Sequence, residues 1–199
     1  MKKLTIIGGG PAALMLAAQI NIDKYQVVIY EKKKTVGRKF LVAGEGGLNL
    51  TYNSSPDELI NQYHPSKFMG PIINKFTNKD LINWLNKEDI PTFIGSSNRV
   101  FPEFDIKPIQ VLKKIIELIS AKKIEFQLNK KWSGWDDEGN LNFEDSESIK
   151  SDIIVFALGG ASWKVTGSDG LWSNQFKEKG VNIAPFRAAN CAFEVDWNK

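Results

Sequence analysis

Lys3-Leu4-Thr5-Ile6-Ile7-Gly8-Gly9-Gly10-Pro11-Ala12-Ala13 runs an apolar, β-branched strand into a Gly-x-Gly-x-x-Ala turn, and an alanine- and leucine-rich helix over residues 12–20 follows at once. A second apolar strand, Gln26-Val27-Val28-Ile29-Tyr30, ends in Glu31. Each small residue has a task. Gly8 permits the tight turn, Gly10 has no side chain to hold the backbone away from a pyrophosphate, and Ala13 lets the helix lie close to the strand. A helix starting there turns free N–H groups and the positive end of its dipole toward an anion. A carboxylate at Glu31 accepts hydrogen bonds from both ribose hydroxyls and repels a 2′-phosphate, so the stretch reads as a dinucleotide-binding βαβ unit that disfavours NADP. The strand, helix and acid carry this reading, since sixteen glycines in 199 residues produce short glycine patterns by chance.

The first residues also imitate a secretory signal, with Met1-Lys2-Lys3 ahead of an apolar stretch that ends in Ala17-Ala18. Three glycines and Pro11 interrupt the would-be signal helix at its centre, where a phosphate loop needs them. No stretch approaches the roughly 20 apolar residues that span a bilayer, and Cys191 is the only cysteine. These features point to a reducing, cytoplasmic compartment and no membrane partner.

A content of 42% hydrophobic residues is enough to bury a core in a chain of this length. Twenty-six basic and twenty-three acidic side chains leave a net charge of +3. The longest basic run, Lys32-Lys33-Lys34, reads as a solvated loop. No basic stripe interleaved with aromatic residues is visible, so no nucleic-acid partner is expected.

Further along, Gly37-Arg38-Lys39 and Gly44-Glu45-Gly46-Gly47-Leu48-Asn49-Leu50-Thr51 form a glycine-rich stretch with no strand of its own in front. It reads as backbone lying close to a ligand or another segment. Residues 55–89 carry a helical pattern, with Ser55 or Asp57 and Thr77 or Asn78 as caps. Short extended pieces are expected over 90–94 and 99–102, a strong amphipathic helix from Pro108 to about Lys122, and a strand over 124–128. Two extended pieces, Lys131 to Trp135 and Leu141 to Phe143, are expected to form a hairpin or meander around Asp136-Asp137-Glu138-Gly139-Asn140. The continuous apolar run from Asp152 to Leu158, ending in Gly159-Gly160, fits a strand buried on both faces of a parallel sheet. After Pro185 the sequence resembles the start of a new strand, which divides the chain into a domain over 1–185 and the beginning of a second, β-rich domain over 186–199. On this reading the chain is truncated.

Taken together, the motifs resemble the HI0933-like (YhiN-like) family of NAD(P)/FAD-dependent flavoprotein oxidoreductases, within the wider glutathione-reductase-type superfamily. Three segments carry the likeness: the first fingerprint with Glu31, the stretch Gly37-Arg38-Lys39 through Asn49-Leu50-Thr51, and Leu158-Gly159-Gly160-Ala161-Ser162-Trp163 with Thr166-Gly167-Ser168-Asp169-Gly170. Arg99-Val100-Phe101-Pro102 adds a fourth. Most family members carry an arginine and a cysteine where this chain has Gly47-Leu48, and the family runs to roughly twice this length, a size that normally makes more than one domain.

The resemblance implies an α/β, Rossmann-like FAD-binding domain. It places Gly8, Gly10, Pro11, Ala12 and Ala13 at the pyrophosphate and Glu31, with Lys32 beside it, on the adenosine ribose. Gly37, Arg38, Lys39, Gly44, Gly46, Gly47, Asn49, Leu50 and Thr51 would lie beside the phosphates, ribityl chain and flavin ring. Ala157, Leu158, Gly159 and Gly160 would pass close to the cofactor from the second strand end. The implied activity is an FAD-dependent oxidoreductase that moves hydride or electrons between a small molecule and an acceptor, with NAD(P)H as a transient donor.

The residues name no catalytic base and no metal ligands. His64, the only histidine, stands beside Pro65 at a helix start and reads as a surface or capping residue. The lone Cys191 excludes a paired-thiol relay and reads as core. Arg38 and Lys39 could stabilise a reduced flavin, but phosphate neutralisation is the plainer role. Trp132, Trp135, Trp163 and Trp172 offer either a stacking surface or core packing, the latter favoured. Two other functions stay open: a flavin- or nucleotide-binding module that does not turn over, and an NAD-dependent dehydrogenase, against which the Gly37 to Thr51 segment argues.

Overall fold

The computed structural model describes residues 1–44 and 47–187 of the chain. The opening βαβ unit is as expected: β1 (Lys2–Ile7), α1 (Pro11–Gln19) and β2 (Tyr25–Glu31). Next comes α2 (Arg38–Ala43), a six-residue helix where the sequence suggested a glycine-rich loop. Its N-cap, Gly37, holds φ at 68°, a left-handed conformation, and none of the usual capping side chains announces the helix. After β3 (Thr51–Tyr52) a helical lobe follows, made of α3 (Pro56–Asn61), α4 (Ser66–Ile73) and α5 (Asn78–Lys87). Ser55 with Glu58 and Thr77 with Asp80 form capping boxes that start α3 and α5.

The chain then forms β4 (Thr92–Ile94) and β5 (Arg99–Pro102), with β5 central in an antiparallel sheet of order β3-β5-β4. The long helix α6 (Pro108–Ala121) leads into β6 (Glu125–Leu128). The meander is three-stranded, β7 (Trp132–Trp135), β8 (Leu141–Phe143) and β9 (Ser146–Ile149), one strand more than the sequence suggested. Finally β10 (Ile153–Phe156) and α7 (Ser173–Glu178) close the described chain. Residues 188–199, which include Cys191 and most of the expected second domain, lie outside the described residues, as does Gly46.

Strands β10, β1, β2 and β6 form one parallel sheet in that order, with Ile6 opposite both Val155 and Ile29. Alternation along β1 and β2 then decides what covers each face. Leu4, Ile6, Val27 and Ile29 pack with Ala13, Leu14, Ala17 and Ala18 of α1 and with Val111, Leu112, Ile115 and Ile119 of α6. Ala13 and Ala17 are fully buried; their small side chains let α1 approach the sheet, as the fingerprint requires. On the opposite face Ile7, Val28 and Tyr30 meet Trp132, Leu141 and Phe143 of the meander. The Tyr30 and Phe143 ring centroids are 4.6 Å apart. Burial, reinforced by the nearby Glu125 charge, pushes the Tyr30 phenol above its ordinary range.

One expectation is corrected here. The apolar run ending at Leu158 is not buried on both faces: every residue of β10 is only partly buried, because it pairs with β1 alone among the described residues. Its two faces still contact both cores, Ile153 and Val155 on the α1 side and Ile154 and Phe156 on the meander side. The apolar composition reflects those two contacts, and the edge position leaves the strand half open.

Candidate functional site

A cleft of about 630 Å³ opens where β1, β2 and β10 end. This is the carboxyl edge at which open α/β sheets hold ligands. Gly8, Gly10, Pro11, Ala12, Glu31, Lys32, Gly37, Arg38, Lys39, Ala157, Leu158 and Gly159 line it, so most of the expected cofactor residues come together there. Thr35, Lys130, Trp132, Thr166, Gly167, Ser168, Asp169 and Trp172 also line it.

Gly8 has φ at +104°, and a Cβ there would lie 2.5 Å from the Ala157 carbonyl oxygen. That glycine therefore serves the close crossing of the β1 and β10 ends. Gly10 is different: a Cβ built on it meets nothing within 4 Å, so its missing side chain keeps the cleft open. It caps α1 without a side-chain hydrogen bond, leaving the first N–H groups of that helix free of a capping side chain. Ala13 lies beneath the floor, in the core.

Glu31 is held by backbone. Its Oε2 accepts from the Gly9 N–H at 2.7 Å and its Oε1 from the Lys33 N–H at 2.8 Å. The Lys32 Nζ forms an ion pair with Asp169 Oδ2 at 2.8 Å, so the first lysine of the basic run is not a solvated side chain. Burial raises the Asp169 carboxyl, yet the hydrogen bond from Lys32, the Leu171 N–H and the Lys32 charge outweigh it and hold the group below its ordinary value. On the opposite side Lys39 Nζ donates to Ser162 Oγ at 2.6 Å. Two lysines thus tie the 159–172 segment across the cleft. That segment is braced within itself, Trp172 Nε1 donating to the Gly159 carbonyl at 3.0 Å and Ser168 Oγ to the Gly160 carbonyl at 2.9 Å. Arg38 lines the cleft with its Nε buried and without a hydrogen-bond partner.

The remaining expected residues lie elsewhere. Gly44 packs on α6, where a Cβ would come within 2.4 Å of Pro108, and Gly47 faces the Phe101 ring. Thr51 pairs with Val100 in the β3–β5 ladder, and Gly160 does not line the cleft. Asn49 and Leu50 line a second, apolar cleft of about 350 Å³ with Leu14, Met15, Phe40, Leu81, Leu85 and Ile115. The two clefts share Pro11 and Lys39 at their common rim.

Sequence reasoning left Asp169, Lys130 and Ser162 out of the site. Asp169 stands in a segment singled out by the resemblance, but its lysine partner is 137 positions away. Trp132 and Trp135 pack with Phe156 and Phe176 in the aromatic core, whereas Trp163 is 63% exposed. His64 is exposed between α3 and α4, outside both clefts. Among the described residues no group of acids, histidines and cysteines could hold a metal ion, and no helix is long and apolar enough to cross a membrane.

Residues 2–190 match the family described as the HI0933-like protein Rossmann domain. The 3-dehydro-bile acid delta(4,6)-reductase of Clostridium scindens is 22% identical, over 93% of this chain and 46% of that protein. The ribosomal RNA dihydrouridine synthase of Escherichia coli is 25% identical, over 96% of this chain and 47% of that protein. The chain therefore spans about half the length of these curated relatives. The 3-ketosteroid-delta4-(5alpha)-dehydrogenase of Rhodococcus jostii shares the fold with a TM-score of 0.59 at 13% identity, over 80% of this chain and 46% of that one.

Proposed function

The chain belongs to the HI0933-like family, and from that premise we propose that its cleft holds the ADP half of FAD and that the protein it represents is a flavoprotein oxidoreductase. The observation that carries the reading is the pairing of an open Gly10 at the start of α1 with a Glu31 carboxylate fixed by two backbone N–H groups. The first suits a pyrophosphate and the second a ribose diol. The buried Arg38 Nε, lacking a partner, fits the same ligand, since it supplies a fixed cation beside the phosphates.

In this reading Gly10, Pro11, Ala12 and Arg38 hold the pyrophosphate, Glu31 holds the adenosine ribose, and Ala157 to Gly159 border the cofactor from β10. Lys39, on the rim of both clefts, neutralises phosphate charge where the nucleotide leaves the first cleft. The apolar cleft beyond it suits a planar, poorly hydrated ring or substrate body. FAD, when bound, supplies hydride and electron transfer, with NAD(P)H as the transient donor. The two curated relatives carry names that describe reduction, of a bile acid with 4,6 unsaturation and of uridine in RNA. These names support a reductase acting on a carbon–carbon double bond conjugated to a carbonyl, rather than an alcohol dehydrogenase.

The test is an absorbance spectrum of the purified protein before and after incubation with FAD and desalting. Flavin bands that survive desalting support the proposal, and anaerobic bleaching by NADH or NADPH identifies the donor. A protein that retains no FAD, both as this chain and when extended to the length of its relatives, overturns it.

A further inference from the structure

The Lys32–Asp169 pair has a chemical consequence at the ribose end of the cleft. We infer that Asp169 is a specificity-determining residue: by holding the Lys32 ammonium it denies a 2′-phosphate the cation such a group needs beside the ribose-binding acid. The inference rests on the nucleotide reading above and concerns which adenine nucleotide the cleft admits.

Lys32 directly follows Glu31, the position from which a basic side chain can reach a phosphate on the ribose 2′-oxygen. A free lysine there would offset the repulsion that Glu31 exerts on such a group. It is not free: its Nζ lies 2.8 Å from Asp169 Oδ2, with the two side chains only 27% and 25% exposed. The partner is set in place by its own loop. Leu171 N–H donates to Asp169 Oδ1 at 3.2 Å, a Cβ on Gly167 would come within 3.3 Å of the Lys32 and Lys33 stems, so the bare glycine lets the loop lie against them, and Ser168 is anchored to Gly160. Little reorientation of the ammonium is available without moving this loop.

The surrounding charges favour the same outcome. Lys131 is paired with Glu144, and Lys39 reaches Ser162 from α2. The Lys33 backbone N–H supports Glu31. Lys130 is the remaining lysine lining the cleft and has no carboxylate partner among the described residues. A 2′-phosphate would thus face two carboxylates, Glu31 and Asp169, with the adjacent Lys32 already neutralised and Lys130 left as the one lysine of the lining with no side-chain partner among the described residues. Unphosphorylated ribose meets no such penalty, which reserves the cleft for FAD in the presence of NADPH.

Calorimetric titration of the purified chain, freed of bound nucleotide, with ADP and with 2′-phospho-ADP tests this. Wild type is expected to prefer ADP by about tenfold or more, and D169N to bind ADP within about twofold of wild type while binding 2′-phospho-ADP about tenfold tighter than wild type does, the scale of one charge-assisted hydrogen bond. The double variant K32A/D169N should lose that gain. Equal weakening of both ligands in D169N, or an unchanged ratio, overturns the assignment and leaves Asp169 as a structural tie. Failure of wild type to bind ADP and FAD overturns the nucleotide reading itself, a result distinct from an ADP-binding wild type whose ratio D169N does not move.

Discussion

Gly9 donates its backbone N–H to Oε2 of Glu31 at 2.7 Å, so the turn after β1 and the acid ending β2 form one hydrogen-bonded unit. The second carboxylate oxygen accepts from Lys33 at 2.8 Å. The carboxylate proposed to bind the ribose is also what fixes the glycine turn. Structure and binding are therefore coupled at this residue.

Replacing Glu31 should show both effects. E31A removes two charge-assisted hydrogen bonds, and loss of about 2 kcal/mol of unfolding free energy is expected in urea titrations. ADP affinity should fall at least about tenfold for the same reason. E31Q keeps an acceptor for one N–H but turns its amide nitrogen toward the other donor, so an intermediate loss is expected. An E31A protein with wild-type urea midpoint would show that the two backbone bonds contribute nothing net.

Gly8 and Gly10 of the turn separate into different roles. G8A forces an L side chain to φ +104° and sets its Cβ 2.5 Å from the Ala157 oxygen; a loss of about 3 kcal/mol or more is expected. Gly10 has φ −82° and ψ 179°, ordinary extended backbone, with open space around its missing Cβ. G10A should therefore melt within about 2 °C of wild type, as surface substitutions do, while its methyl group weakens nucleotide binding about tenfold or more. Thermal melts beside ADP titrations check both. Equal thermal damage in the two variants would contradict this division.

Local signals make the βαβ unit legible in the sequence: β-branched runs, glycines at fixed offsets, and a helix rich in small residues. The helix starts near residues 55 and 77 are legible for the same reason, though the sequence leaves Ser55 or Asp57 and Thr77 or Asn78 as caps and the structure selects Ser55 and Thr77. Helix α2 is not, because its start is a left-handed glycine rather than a capping side chain. The ties Lys32–Asp169 and Lys39–Ser162 join residues 137 and 123 positions apart, and no local pattern encodes them. The glycines from Gly44 to Thr51 signal close approach to a ligand or to another segment without saying which. Folding divides that segment between a contact with Pro108, a facing ring of Phe101, the second cleft and a strand.

A variant outside both clefts supplies the control. Thr77 Oγ1 receives the Asp80 N–H and donates to its carboxylate at the start of α5. T77A should lower stability by about 1 kcal/mol and leave FAD retention unchanged. Thr77 itself lines neither cleft, so loss of FAD in T77A would mean that the start of α5 sets the position of Leu81 and Leu85 in the second cleft and that FAD retention depends on them.

The Lys32–Asp169 pair should also be visible in the pH dependence of stability. Burial opposes ionisation of Asp169, but the Lys32 hydrogen bond, the Leu171 N–H and the Lys32 charge prevail, so its folded pKa lies below the ordinary 3.8. A carboxyl with a depressed folded pKa stabilises the native state fully above its unfolded pKa, and that contribution disappears as pH falls through the folded value. The stability difference between wild type and D169N should therefore stay level from about pH 7 to about pH 5 and shrink below about pH 4. Glu58, Asp80 and Asp136, whose pKa values are also lowered, titrate in both proteins and cancel from the comparison. Urea midpoints across that range, at fixed ionic strength, give the curve. A difference that already collapses between pH 7 and pH 6 cannot come from a carboxyl held below its ordinary range, and would remove the Lys32–Asp169 pair as the origin of the stabilisation.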